Sequence, residues 1–170
     1  MAKFDGCLRE NSFMTHEKAE RKIKNLIYDY AHCIDDDCLE EWPTFFTEKC
    51  FYQVISRVDY EAGLPVGVIT CTSRGMLVDR IVSLRNANIY EPHVYRHLIS
   101  AIRVRSEKDG VWNAQTSYTV IRTMDEGDIS VFSTGKYIDQ IVFEVDKPLF
   151  QNRICVFDSR RVDTLMVIPI

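Results

Sequence analysis

The stretch WNAQTSYTVIRTMDEGDISVFSTGKYID, residues 112–139, decides the fold. Both of its halves are rich in β-branched and aromatic residues, and Glu126-Gly127-Asp128 between them is a turn signal. Trp112 to Arg122 and Ile129 to Asp139 therefore fold back on each other as antiparallel strands. The same pattern extends outward in both directions. Tyr95 to Arg105 precedes the break Lys108-Asp109-Gly110, and Leu149 to Phe157 follows the break Asp146-Lys147-Pro148. The second half of the chain reads as a four-stranded antiparallel meander.

The first half has a helical period. From Thr15, an N-cap residue, Ala19, Ile23, Leu26, Ile27, Tyr30 and Ile34 recur at helical spacing, and Lys18, Arg21, Lys22 and Asn25 fill the other face. Asp35-Asp36-Asp37 supplies a turn. Leu39, Trp42, Phe45 and Phe46 then predict a short second helix that starts near Glu40 and takes Pro43 into its first turn. Cys50 to Ser56 reads as a strand and Asp59 to Pro65 as a loop. Ser73 caps a third helix that points Met76, Leu77, Ile81 and Leu84 inward and ends near Asn86. Helices followed by a curved antiparallel sheet make an α+β domain in which the sheet wraps the long first helix. Residues 1–14 carry no period and read as an arm with Phe4 and Phe13 as anchors, so the expected organisation is an arm over 1–14 and one domain over 15–170.

Composition narrows the function classes. The 170 residues are 46% hydrophobic and 27% charged, the range of an ordinary globular domain with a core. Net charge is -4 and the basic residues are scattered, which excludes a phosphate-tracking nucleic-acid surface. No apolar run approaches the ~20 residues of a membrane span, and no secretory apolar stretch opens the chain, so a soluble cytoplasmic protein is expected. Cys7, Cys33, Cys38, Cys50, Cys71 and Cys155 form no CxxC pair and are read as reduced, small and hydrophobic rather than as a metal or redox set.

Motifs for chemistry are scarce. There is no GxSxG, no Gly-rich phosphate loop and no HExxH. In Tyr90-Glu91-Pro92-His93-Val94-Tyr95-Arg96-His97, two histidines and a carboxylate suggest an iron triad. On an extended chain, however, His93 and His97 stand about 13 Å apart, too far for shared ligation. An acid–base pair drawn from Asp35 to Asp37 with Tyr52 or His97 is a second candidate, set against the reading of three aspartates as a solvated turn. No catalytic, cofactor-binding or metal residue is assigned. Trp42, Arg80, Arg85, Tyr90, Arg96 and His97 have the composition of an interface and are the expected subunit contacts.

Ordered blocks carry a resemblance: Glu41-Trp42-Pro43-Thr44-Phe45-Phe46-Thr47, Met76-Leu77-Val78-Asp79-Arg80-Ile81, Leu84-Arg85-Asn86-Ala87-Asn88-Ile89-Tyr90-Glu91, Tyr95-Arg96-His97 and Asp163-Thr164-Leu165. From Ala19 onward the chain resembles the small (β) subunit of Rieske-type aromatic-ring-hydroxylating dioxygenases, in the branch acting on carboxylated rings such as terephthalate, salicylate and benzoate. The resemblance implies a cone like that of nuclear transport factor 2, assembled as three small and three large subunits. It also implies that the large subunit holds a Rieske [2Fe–2S] cluster and a mononuclear iron, fed with electrons from NADH by a separate reductase and in some systems a ferredoxin. This chain has no C-x-H…C-x-x-H pairing of its own. Its implied role is a non-catalytic structural subunit of an oxidoreductase, with no cofactor of its own. The alternative is a stand-alone isomerase or dehydratase, or a small-ligand-binding protein, that uses the cone interior as its pocket.

Overall fold

The computed structural model describes residues 15–162 and 166–170. The arm expected over 1–14 and the Asp163-Thr164-Leu165 block lie outside the described residues. Helix α1 (His16–Asp35) begins where expected, with the Thr15 hydroxyl accepting from the Lys18 amide. Ala19, Ile23, Leu26, Ile27, Tyr30 and Ile34 are all buried, as the helical period requires. Burying each large side chain of that stripe stabilises the fold by roughly 1.5–3 kcal/mol, so the helix is held by packing more than by propensity.

The aromatic segment after α1 differs from its expected form. Trp42–Phe45 is one turn of 3-10 helix with Pro43 at its start, and Phe46 already belongs to strand β1 (Phe46–Ser56). Proline cannot donate a backbone hydrogen bond, which suits a first turn, and four residues are too few for an α-helical nucleus. The loop expected from Asp59 is partly helical: Ser56 caps the short α2 (Arg57–Glu61), its hydroxyl accepting from the Asp59 amide. A three-residue strand, β2 (Ile69–Cys71), then pairs with β1. Helix α3 (Arg74–Asn86) is capped by Ser73 as expected. It buries Leu77, Ile81 and Leu84, whereas Met76 is exposed.

The meander is β3 (His93–Lys108), β4 (Val111–Met124), β5 (Ile129–Glu144) and β6 (Lys147–Phe157). Together with the first two strands it forms a six-stranded sheet in the order β2-β1-β6-β5-β4-β3. Successive meander strands pair antiparallel, while β1 lies parallel to β6. Bulges interrupt β3 after Ser100, where Ala101 has φ 49, and the β5–β6 ladder between Gln140 and Ile141. Such bulges bend strands and deepen twist, and they help the sheet curl around α1 without closing. Gly135 permits a close approach of neighbouring strands. A Cβ there would strike the carbonyl of Val156 and crowd the Tyr118 hydroxyl, in the place where Tyr118 and Tyr137 stack at 4.4 Å.

Candidate functional site

The concave face of the sheet is where a pocket would form in a cone of this kind, and here it is filled. Its centre is a buried ion pair on opposed strands: Asp139 on β5 faces Arg153 on β6, with Nε to Oδ1 at 2.9 Å and Nη2 to Oδ2 at 3.0 Å. The Arg153 guanidinium lies over three rings, 4.0 Å from Tyr30, 4.3 Å from Tyr137 and 3.9 Å from Phe150. Bidentate geometry and aromatic faces are what a buried guanidinium needs to offset its lost hydration. Trp42, Phe46 and Tyr52 close the space beside it, with Trp42 and Tyr52 edge to face at 5.1 Å.

The last described segment completes the filling. Met166, Val167, Ile168 and Ile170 are buried. The Ile170 carbonyl oxygen accepts from the Tyr30 hydroxyl at 2.8 Å, the Tyr52 hydroxyl at 3.0 Å and the Cys155 thiol at 3.3 Å. The Tyr52 oxygen in turn accepts from the Ile170 amide. Burial pushes the Tyr30, Tyr52 and Tyr137 phenols well above their ordinary range, so they stay protonated, and Tyr30 and Tyr52 donate. Burial likewise pushes the Cys155 thiol up to about 12. Large shifts therefore exist inside the cone, but they point away from acid–base work at neutral pH and sit in a packed interior. Surface hollows lie outside the cone, among them one of about 540 Å³ beside Asn25 and Asp29 of α1 and one of about 250 Å³ between α1 and β3, lined by Asp35, Arg96 and His97.

One acid–base candidate is assembled. Asp35, read from the sequence as part of a solvated turn, has a side chain only 3% exposed. Its Oδ2 accepts from the His97 amide at 2.8 Å and its Oδ1 pairs with His97 Nδ1 at 2.6 Å. His97 Nε2, the other ring nitrogen, is buried and without a partner among the described residues. An acidic residue in the last turn of α1 opposes the helix dipole, and these two hydrogen bonds are its compensation. The other two aspartates take different roles. Asp37 adopts φ 57 and pairs with Arg85, and Asp36 caps the helix with its backbone. Asp35→Asn is expected to lower stability by about 1–3 kcal/mol, the cost of pairing lost at a buried donor, read as a shift of the urea midpoint.

The six expected contact residues separate. Trp42 is 0% exposed, so it packs the core and cannot meet a partner directly, a correction that follows from its place between Phe46 and Tyr52. The His97 side chain is also buried, on Asp35. Arg80 Nη2 donates to the Met166 carbonyl at 2.6 Å and holds the last segment in the cone. Arg85 clamps Asp37 and Glu40 across the end of α1. Tyr90 is half-buried with its ring 5.6 Å from that of His93. Arg96 is 60% exposed and pairs with Asp35, Nη1 lying 3.8 Å from Oδ2. Neither His93 nor His97 shares a partner: His93 Nδ1 donates to the Glu91 carbonyl at 2.7 Å. Among the described residues no group of three or more His, Cys, Asp or Glu side chains is placed to hold a metal ion, so these residues do not fit an iron centre. Among them too, no helix is long and apolar enough to cross a membrane.

Residues 16–153 match the SnoaL-like domain family. The chain is 40% identical to the anthranilate 1,2-dioxygenase small subunit of Burkholderia cepacia, over 83% of this chain and 88% of that protein. It is 42% identical to subunit beta 2 of the terminal oxygenase component of terephthalate 1,2-dioxygenase from Comamonas sp, over 83% and 92%. A crystal structure of a beta subunit assigned to the aromatic-ring-hydroxylating dioxygenases, from Novosphingobium aromaticivorans, superposes with a TM-score of 0.83 at 38% identity, covering 91% of this chain and 98% of the other.

Proposed function

Because this chain belongs to the SnoaL-like domain family, and within it to the small subunits of aromatic-ring-hydroxylating dioxygenases, we propose that it works as a scaffold and performs no chemistry itself. The observation that carries this reading is the filled cone: the pocket that an isomerase or a binding protein of this fold would use is occupied by Ile170 and the rings around Arg153. The stand-alone enzyme reading is not favoured, since its best acid–base pair, Asp35 with His97, lines a surface hollow of about 250 Å³ between α1 and β3 and does not face the cone interior, which is filled.

In this proposal the partner is a large oxygenase subunit, joined as three large and three small chains in the cytoplasm. The large subunit carries the Rieske [2Fe–2S] cluster and the mononuclear iron, and a separate reductase, with or without a ferredoxin, delivers electrons from NADH. Anthranilate and terephthalate, named for the two relatives, are both ring carboxylates, which supports an aromatic acid as the substrate of the whole enzyme. Arg96 is the interface residue, with Tyr90, half-buried against His93, a second contact; Arg85 fixes the end of α1 at the surface, Arg80 holds the last segment, and Trp42 and His97 act from within. Co-expression with the cognate large subunit is expected to give one complex that co-elutes through affinity and size-exclusion steps. Separate elution of the two chains would end the proposal.

A further inference from the structure

Alternation along the strands sorts the sheet into two faces. On the inner face stand Tyr95, Tyr118, Tyr137 and Arg153, all buried. The outer face is unusual at one end. Val94 on β3, 58% exposed, lies in register through Thr123 of β4 with Ile129 on β5, 70% exposed; Leu98, 51% exposed, lies two residues beyond Arg96, whose row crosses Ile121 to Val131, 64% exposed. Arg96 pairs with Ile121, and Ile121 with Val131, so the backbone of an arginine lies within the apolar group while its guanidinium reaches toward Asp35, 3.8 Å away. Single exposed apolar side chains need no explanation, but a contiguous set across three strands does.

The strand positions of this face carry basic charge, while the acids Asp125, Glu126 and Asp128 lie in the turn at its apolar end. The other outward positions of β3 from Ser100 carry Arg103 and Arg105, both exposed. Those of β4 from Asn113 to Thr123 are amides, hydroxyls and Ile121, and β5 adds Lys136. No carboxylate occupies an outward position between Val94 and Arg105, Asn113 and Thr123, or Ile129 and Gln140, although the whole chain has a net charge of -4. In addition, β3 runs for 16 residues and among the described residues pairs with a strand, β4, on one side, while on its other side the end of α1 meets it through Asp35, which accepts from the His97 amide.

We propose that this outer face of β3–β5, apolar around Arg96 and basic toward Arg105, is where the large oxygenase subunit docks, through a surface that presents carboxylates around an apolar centre. The assignment rests on the scaffold reading above and says which face it uses. Apolar residues with arginines and few acids are the composition of interface cores. The charge decides between occupants. A second copy meeting the same face about a two-fold axis would set Arg96, Arg103 and Arg105 against an identical basic surface. An acidic partner face pairs with them instead.

The test uses the full chain and its cognate tagged large subunit. Leu98→Asp and Val131→Asp place a negative charge on outward positions, so the purified chain should keep its urea midpoint while its affinity for the large subunit falls at least about tenfold. Leu98→Ser and Val131→Ser provide the same readout if an aspartate variant folds poorly. Wild-type binding should weaken as salt rises. Val82→Asp, on the exposed side of α3, should bind like wild type. If the wild-type chain does not bind at all, the scaffold reading falls and the docking face with it. If wild type binds and the sheet variants bind equally well, or if they dissolve a homomer of this chain instead, the scaffold reading stands and the docking face is wrong.

Discussion

Asp139→Ala is expected to cost about 3–5 kcal/mol of unfolding free energy, because it leaves the Arg153 guanidinium buried without its carboxylate. Both side chains are fully buried, and the three rings over the guanidinium cannot replace two charge-assisted hydrogen bonds. Burial pushes the Asp139 carboxyl up and the Arg153 guanidinium beside it pulls it back down. The pair is therefore costly to bury and still more costly to break. Replacing both partners, Asp139→Leu with Arg153→Met, should recover much of the loss, since an apolar pair of similar size carries no uncompensated charge. Urea unfolding of the three proteins measures both effects. A loss below about 1 kcal/mol for the single variant would mean that water reaches the guanidinium.

The second large effect belongs to the segment that fills the cone. Removing residues 166–170 takes Met166, Val167, Ile168 and Ile170 out of the core and leaves Tyr30, Tyr52 and Cys155 without the carbonyl they share. At roughly 1.5–3 kcal/mol for each buried side chain, the loss is comparable to the about 5–15 kcal/mol that holds a whole domain together. The shortened chain should accumulate in the insoluble fraction or lose its cooperative transition. Ile170→Ala is the milder version and should cost about 2–5 kcal/mol, measured as a fall in the urea midpoint at unchanged slope. A soluble, cooperative truncated chain would show that the interior does not depend on this segment.

Local signals made much of the fold legible. The α1 stripe, the Thr15 and Ser73 caps and the three meander turns all depend on residues close in sequence, where period and turn chemistry act. What escaped depends on distant pairings. The parallel contact of β1 with β6 joins segments about a hundred residues apart, and no local pattern encodes it. The Asp139–Arg153 pair is hidden more subtly. Glu144 pairs with Lys147, and a regular hairpin continued from that turn would set Asp139 opposite Asn152. The bulge between Gln140 and Ile141 moves the register by one residue and brings Arg153 into place.

The candidate site divides the same way. Trp42 looked like a contact residue because tryptophan is common in interfaces, but it is equally suited to a core, and composition cannot separate the two. Asp35 looked solvated because its neighbours Asp36 and Asp37 are. Its position in the last helical turn, against the dipole, was the available hint of a partner, and His97 lies 62 residues away.

Native mass spectrometry of the complex co-purified with the large subunit, with gas-phase dissociation to assign metal to each chain, tests the scaffold role most directly. Equal numbers of large and small chains are expected, with iron leaving on the large chain and the small chain released at its bare polypeptide mass. A small chain recovered alone as a homomer, or one that carries the iron itself, would contradict it.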